Sequence, residues 1–167
     1  GACDERCKVY VNDREAGRHS GGYQSFSLDI TKWVKIGTNT VMVCVQDRSD
    51  TSYHGRGKQC LKKGGMFYTA QSGLWQTVWY EWVPDIYIKS LRITPVYDED
   101  RVVISVKGSK NMTHVSYSAE VYDGDVLAGK AECAGSDAEW VELSVPIPDK
   151  KSWSPVLPFL YDVKICL

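Results

Sequence analysis

The chain has 167 residues, with 20 basic and 21 acidic side chains, a formal net charge of −1 and 43 % hydrophobic residues. That apolar share is ordinary for a folded globular protein and excludes intrinsic disorder, and the near-neutral charge excludes the electrostatic footprint of a nucleic-acid or anionic-membrane binder. No apolar run reaches the roughly 18 residues of a membrane-spanning helix, and the opening GACDERCKVY lacks the basic-then-apolar order of a signal peptide.

Alternation of apolar and polar residues dominates the chain, as in strands buried on one face. Val9 and Val11 share a face, then Val41, Val43 and Val45, all in short runs. Between them lie turn signals at Asn12-Asp13, Gly21-Gly22 and Gly37-Thr38-Asn39. The stretch around Cys3 and Cys7 reads as one strand. Four residues of regular strand span roughly 13 Å, beyond disulfide reach. Asp29 to Trp33 is the one candidate for a helical turn, with Asp29 or Thr31 as its cap. A strand is expected over Gly73–Trp82, entered by a sharp turn at Ser72-Gly73. There Leu74, Val78, Tyr80 and Trp82 point one way and Trp75 and Trp79 the other, so this strand calls for cover on both faces.

The pattern breaks at Trp82-Val83-Pro84-Asp85, and a domain boundary is expected between about residues 84 and 94. A new run from Tyr87 to Thr94 ends at Pro95. After it come Val102, Ile104 and Val106, then Val115, Tyr117, Ala119 and Val121, then Val141, Leu143 and Val145, and finally Tyr161, Val163, Ile165 and Leu167. Many short strands with regular turns predict an all-β architecture, a sandwich or barrel in each part. The later part suits a small immunoglobulin-like sandwich without the Cys…Trp…Cys hallmark of antibody domains.

Residues 47–68, DRSDTSYHGRGKQCLKKGGMFY, form an unusually long connection. Asp47, Asp50, Tyr53, His54, Arg56, Lys58 and Gln59 bring planar polar groups together with aromatic rings. Sugars are recognised by such groups, with bidentate partners for hydroxyl pairs and rings for pyranose faces. The same residues also suit a solvated surface loop. Six cysteines (Cys3, Cys7, Cys44, Cys60, Cys133, Cys166) are too sparse for a disulfide scaffold and contain no Cys-x-x-Cys. Free thiols and a reducing compartment are expected. His19 and His114 read as solvated, and no second histidine stands at metal-ligand spacing, so no metal site and no cofactor are expected. Asn111-Met112-Thr113 matches a glycosylation sequon, a match expected by chance.

The motifs VYVNDREAGRHSGGYQSFSLDIT, GTNTVMVCVQDRSD, RGKQ and YTAQSGLWQTVWYEWVP, in this order, resemble the N-terminal sugar-binding domain of glycoside hydrolase family 2. The family includes β-galactosidases, β-glucuronidases and β-mannosidases. YIKSLRITP and WSPVLPFLYDVKICL are similar to the start and end of that family's immunoglobulin-like domain. The resemblance implies a partial jelly-roll, a galactose-binding-like β-sandwich, over residues 1–86. An immunoglobulin-like β-sandwich over residues 87–167 follows. It implies that the jelly-roll strands before GACDERCKVYVN are missing. It also implies that the (β/α)₈ barrel with the two catalytic glutamates lies outside this chain, so no catalytic residue is assigned here. Glu81, Glu120 and Glu132 stand on strand patterns rather than as a pair across a scissile bond. The implied partners are the catalytic barrel of the same parent enzyme, a carbohydrate substrate reached through it, and a second copy in a homo-oligomer. Asp50 of Arg48-Ser49-Asp50 resembles a family position that contacts sugar hydroxyls, and Asp50, Tyr53 and His54 are the substrate-binding candidates. Asp50 equally suits a loop cap. The expected setting is cytoplasmic, with a periplasmic or secreted parent as the alternative. An independent carbohydrate-binding module with Trp75, Trp79 and Trp82 as a platform, or a structural oligomer-forming piece, are the competing readings.

Overall fold

A computed structural model describes residues 1–110 and 113–167; the Asn111 and Met112 of the sequon lie outside the described residues. The chain divides into two compact units, Gly1–Glu81 and Trp82–Leu167. Both are built from antiparallel strands and short turns, apart from one short parallel pair. Among the described residues no helix is long and apolar enough to cross a membrane.

The first unit contains β1 (Cys3–Asp4), β2 (Arg6–Val11), β3 (Arg14–Ser20), β4 (Val41–Gln46), β5 (Gln59–Cys60), β6 (Tyr68–Thr69) and β7 (Gly73–Leu74). Its main sheet runs β3-β2-β4, with β1-β7 and β5-β6 as two-stranded additions. The β2–β3 hairpin turns on Asn12 and Asp13, whose φ angles are 49° and 66°. Two successive positive φ values are the turn that matches strand twist, and asparagine and aspartate tolerate them best after glycine. Asn12 is also bonded across the unit. Its Nδ2 donates to Trp33 O (2.7 Å) and Asn39 Oδ1 (2.8 Å), and its Oδ1 accepts from Thr40 N (3.1 Å). The expected turn at Asp29 to Trp33 is present as a bend in which Thr31 N donates to Asp29 Oδ1 at 2.9 Å. His19, expected to be solvated, is half-buried and stacks on Phe26 with ring centroids 4.2 Å apart.

The single strand expected around Cys3 and Cys7 is interrupted at Glu5. The break turns both cysteines into one small core with Val9, against which Phe26, Leu28, Val43 and Val45 pack. The Cys3 thiol is hydrogen-bonded to Cys7, and burial pushes it up to about 12. All six cysteines are free thiols.

The strand expected over Gly73–Trp82 is replaced by a two-residue strand, Gly73–Leu74, and irregular chain. Among the described residues β7 pairs with the two-residue β1, and the ladder ends at Leu74. Trp75, Trp79 and Trp82 are consequently exposed, at 55, 66 and 79 %. Trp75 is held at its edge, its Nε1 donating to Gly22 O at 2.7 Å.

The second unit contains β8 (Ile88–Val96), β9 (Arg101–Gly108), β10 (Ser116–Asp123), β11 (Val126–Ala134), β12 (Val141–Pro146) and β13 (Asp162–Cys166). Two three-stranded sheets, β12-β9-β8 and β11-β10-β13, enclose one core. Here the alternation is realised residue by residue. Val102, Ile104 and Val106 of β9, Tyr117, Ala119 and Val121 of β10, and Val141, Leu143 and Val145 of β12 all point inward. Each fully buried aliphatic side chain stabilises by roughly 1.5–3 kcal/mol. Pro95 does not end its run as expected; it pairs with Val102 inside β8. β8 is an edge strand, where a residue without an N–H leaves no ladder bond unmade. Gly129 allows β11 to cross β12 closely, because a Cβ there would stand 2.2 Å from Pro146 O.

Candidate functional site

The long connection after β4 carries more structure than its composition suggests. A 3₁₀ turn spans Ser49–Thr51, and β5 and β6 pair in parallel, Gln59 with Tyr68 and Cys60 with Thr69. Aspartates fix each end of this arrangement. Asp47 Oδ1 accepts from Ser49 N at 2.6 Å, a local side-chain turn that starts the 3₁₀ segment. Asp50 Oδ2 accepts from the Cys60 thiol at 2.9 Å and Asp50 Oδ1 from Leu61 N at 2.9 Å. The Cys60 thiol, then the Leu61 N–H, hold the Asp50 carboxyl below the usual carboxylate range.

The three candidates for sugar contact occupy different settings. Tyr53 is fully exposed. Asp50 is half-buried, and each of its oxygens keeps a free lone pair beside its bond to Cys60 or Leu61. The His54 side chain is only 13 % exposed and sits between two acids. Its Nδ1 is 3.3 Å from Glu5 Oε2 and its Nε2 3.1 Å from Asp47 Oδ1.

Sequence reasoning missed Asp4 and Glu5. Asp4 lies beside this group and its carboxyl is raised, first by burial and then by the charge of Asp47, against which His54 acts. Asp4, Asp47 and His54 each offer a ligand atom, and the three atoms lie within 4.8 Å of one another. Gly22 makes room for Asp4, since a Cβ there would stand 2.5 Å from Asp4 Oδ1. The signal available in the sequence was the acidic pair Asp4-Glu5 inserted between the apolar Ala2-Cys3 and Cys7, in a stretch that otherwise alternates.

A separate shallow depression of about 650 Å³ lies over β2, β3 and β4. Arg6, Lys8, Arg18 and His19 line it together with Gln46, and no carboxylate does. Glycoside hydrolysis requires two carboxyl groups flanking an accessible sugar. The acids gathered at His54 are instead buried against an imidazole.

Residues 1–84 match the sequence model of the glycosyl hydrolases family 2 sugar binding domain. Over 171 aligned residues the chain is 26 % identical to a β-galactosidase of Thermoanaerobacter pseudethanolicus, covering 96 % of this chain and 22 % of the relative. It is 30 % identical over 155 residues to a β-galactosidase of Lactococcus lactis, covering 88 % of this chain and 14 % of the relative. The fold is shared with a β-glucuronidase from Ruminococcus gnavus in complex with D-glucuronic acid, with a TM-score of 0.70 and 21 % identity, over 99 % of this chain and 29 % of that one. The chain thus spans about a fifth or less of the length of these curated relatives. Since the sugar-binding-domain model covers half of it, this chain belongs to glycosyl hydrolases family 2.

Proposed function

We propose that this chain is the non-catalytic N-terminal region of a β-galactosidase- or β-glucuronidase-type glycosidase. It supports a catalytic barrel that lies elsewhere in the same parent protein. The observation that carries the reading is the match of residues 1–84 to the sugar binding domain, in a chain that covers 22 % or less of the β-galactosidases it aligns with. The second unit is read as the immunoglobulin-like support between that domain and the barrel. In the parent, the loop after β4 forms one wall of the sugar site. Asp50 accepts hydrogen bonds from sugar hydroxyls with its free lone pairs, the exposed Tyr53 offers a ring face, and His54, held between Glu5 and Asp47, braces the loop from its buried side. The six free thiols support a reducing compartment, the cytoplasm. Exposed apolar residues such as Val78, Trp79 and Tyr80 support burial against the rest of the parent or a second copy. In an assay with chromogenic β-galactosides and β-glucuronides the purified chain turns over neither. Turnover that survives further purification would refute the reading.

An independent carbohydrate-binding module is the second reading, favoured by the exposure of Trp75 and Trp79 at 55 and 66 %. Calorimetric titration with galactose, glucuronic acid and xylo-oligosaccharides separates the two. Saturable millimolar or tighter binding by the chain alone supports the module.

A further inference from the structure

We propose that Asp4, Asp47 and His54 bind a divalent transition-metal cation, with Glu5 orienting the imidazole from behind. The proposal does not depend on the sugar-site reading; it starts from a cluster that is over-supplied with negative charge. Three carboxylates surround one imidazole, and the side chains of Glu5 and Asp47 are each 6 % exposed. Arg6 Nε stands 3.3 Å from Glu5 Oε1 and leaves the other oxygen to the cluster.

The independent observation is a set of buried polar atoms with no hydrogen bond. Asp4 Oδ1, Glu5 Oε2 and His54 Nδ1 are all of this kind, and Glu5 as a residue is 95 % buried, its Oε2 directed at His54 Nδ1. Buried polar groups are almost always satisfied, and orphaned ones call for an ion or water that completes them. A divalent cation between Asp4, Asp47 and His54 Nε2 satisfies Asp4 Oδ1 directly, while Glu5 Oε2 and His54 Nδ1, 3.3 Å apart, satisfy each other once Nδ1 carries the proton. It takes one lone pair from each ligand atom, and it fixes the tautomer in which Nδ1–H donates to Glu5. A carboxylate behind a ligating imidazole is the usual outer shell of such centres. The ligand atoms lie within 4.8 Å of one another, somewhat wider than the roughly 3.4 Å between ligands of a tetrahedral site, so side-chain adjustment accompanies binding. Two carboxylate oxygens and one imidazole nitrogen are too few oxygens for Ca²⁺ and suit Zn²⁺ or Mn²⁺.

Such a site has a structural consequence. It ties β1 to the loop after β4 on both sides of the Ser49–Thr51 turn, and so holds the segment that presents Asp50 and Tyr53.

The test uses the whole 167-residue chain, stripped with EDTA and titrated calorimetrically with ZnCl₂ and MnCl₂, with Co²⁺ absorption as a ligand probe. The expected result is one equivalent bound, a rise in melting temperature with metal, and Co²⁺ d–d bands without a sulfur charge-transfer band. Asp4→Asn lowers the affinity at least about 10-fold, and Glu5→Gln lowers it about 10- to 100-fold. His54→Gln abolishes binding, but it also removes a buried partner of two acids, so the near-isosteric Asp4→Asn decides if His54→Gln unfolds. Absence of saturable uptake overturns the proposal. So does a sulfur charge-transfer band, which would place the metal on the cysteines, or binding that is unchanged in both Asp4→Asn and Glu5→Gln.

Discussion

The two units of this chain treat the same kind of apolar residue in opposite ways. In the second unit nearly every inward position of β9, β10 and β12 is closed off by a facing sheet, and Ile104, Val106 and Val145 have no exposed surface. In the first unit the buried cluster is small, Cys3, Cys7 and Val9, while the run from Trp75 to Tyr80 keeps its large side chains at the surface. Alternation in a strand therefore states a demand for cover, and the demand is met only where a neighbouring strand is at hand. The β8–β9 and β10–β11 hairpins bring their partners with them in sequence. Among the described residues β7 pairs with the two-residue β1 alone.

The sharpest way to break this comparison is to truncate one residue of each kind. Ile104→Ala removes a fully buried side chain at the centre of the second core and is expected to cost about 3 kcal/mol of stability. Trp79→Ala removes a larger but exposed side chain and is expected to change stability by less than about 0.5 kcal/mol. Urea unfolding followed by circular dichroism measures both. If Trp79→Ala destabilised the isolated chain as much as Ile104→Ala, the tryptophan run would be covered in solution, most simply by a second copy.

These contrasts also explain which features the sequence displayed. The period of two at Val141, Leu143 and Val145 shows both the strand and its inward face, because burial there is a local alternation completed by an adjacent strand. The Asn12-Asp13 turn was visible for the same reason: its backbone requirement is local. Pro95 misled because the exception depends on β8 being an edge strand, a property of sheet order. The cluster at His54 lay furthest from view. Asp47 and His54 stand in a polar loop that suits sugar recognition or solvent alike, and Asp4 and Glu5 lie in what reads as one short strand. Only the fold returns that loop onto β1 and gathers all four, with Glu5 buried and the others half-buried. In the same way, the engagement of Asp50 by Cys60 depends on β5 lying against the 3₁₀ turn.

A smaller effect sharpens the comparison within the first unit, where single polar side chains do what apolar packing does in the second. Asn12 makes three hydrogen bonds from its side chain to Trp33, Asn39 and Thr40. Asn12→Ala loses these and places a less tolerant residue at a φ of 49°. The expected loss is about 2 kcal/mol, at net values of roughly 0.5–1.5 kcal/mol per bond. Asn12→Asp keeps the backbone preference and the acceptor for Thr40 but not the donors, and is expected to fall between the two. Equal loss in both variants would mean that the donors carry the whole effect and the turn geometry none of it.

The weakest expected effect concerns the loop that presents Asp50. Its carboxyl is held low by the Cys60 thiol and the Leu61 N–H, so it stays ionised to lower pH in the folded chain than in the unfolded one. A carboxylate with a depressed folded value contributes stability that is present above its unfolded value. That contribution is lost as pH falls through the folded one. Cys60→Ala removes the larger of the two causes and leaves the second. An NMR titration of the Asp50 side chain should therefore show its midpoint moving up toward the ordinary range in Cys60→Ala, without reaching it while Leu61 N still donates. Because Asp50 is accessible to solvent, the accompanying change in acid stability should be slight. A midpoint that does not move in Cys60→Ala would show that the thiol does not donate to Asp50. The tie between β5 and the Ser49–Thr51 turn would then rest on the Leu61 amide alone.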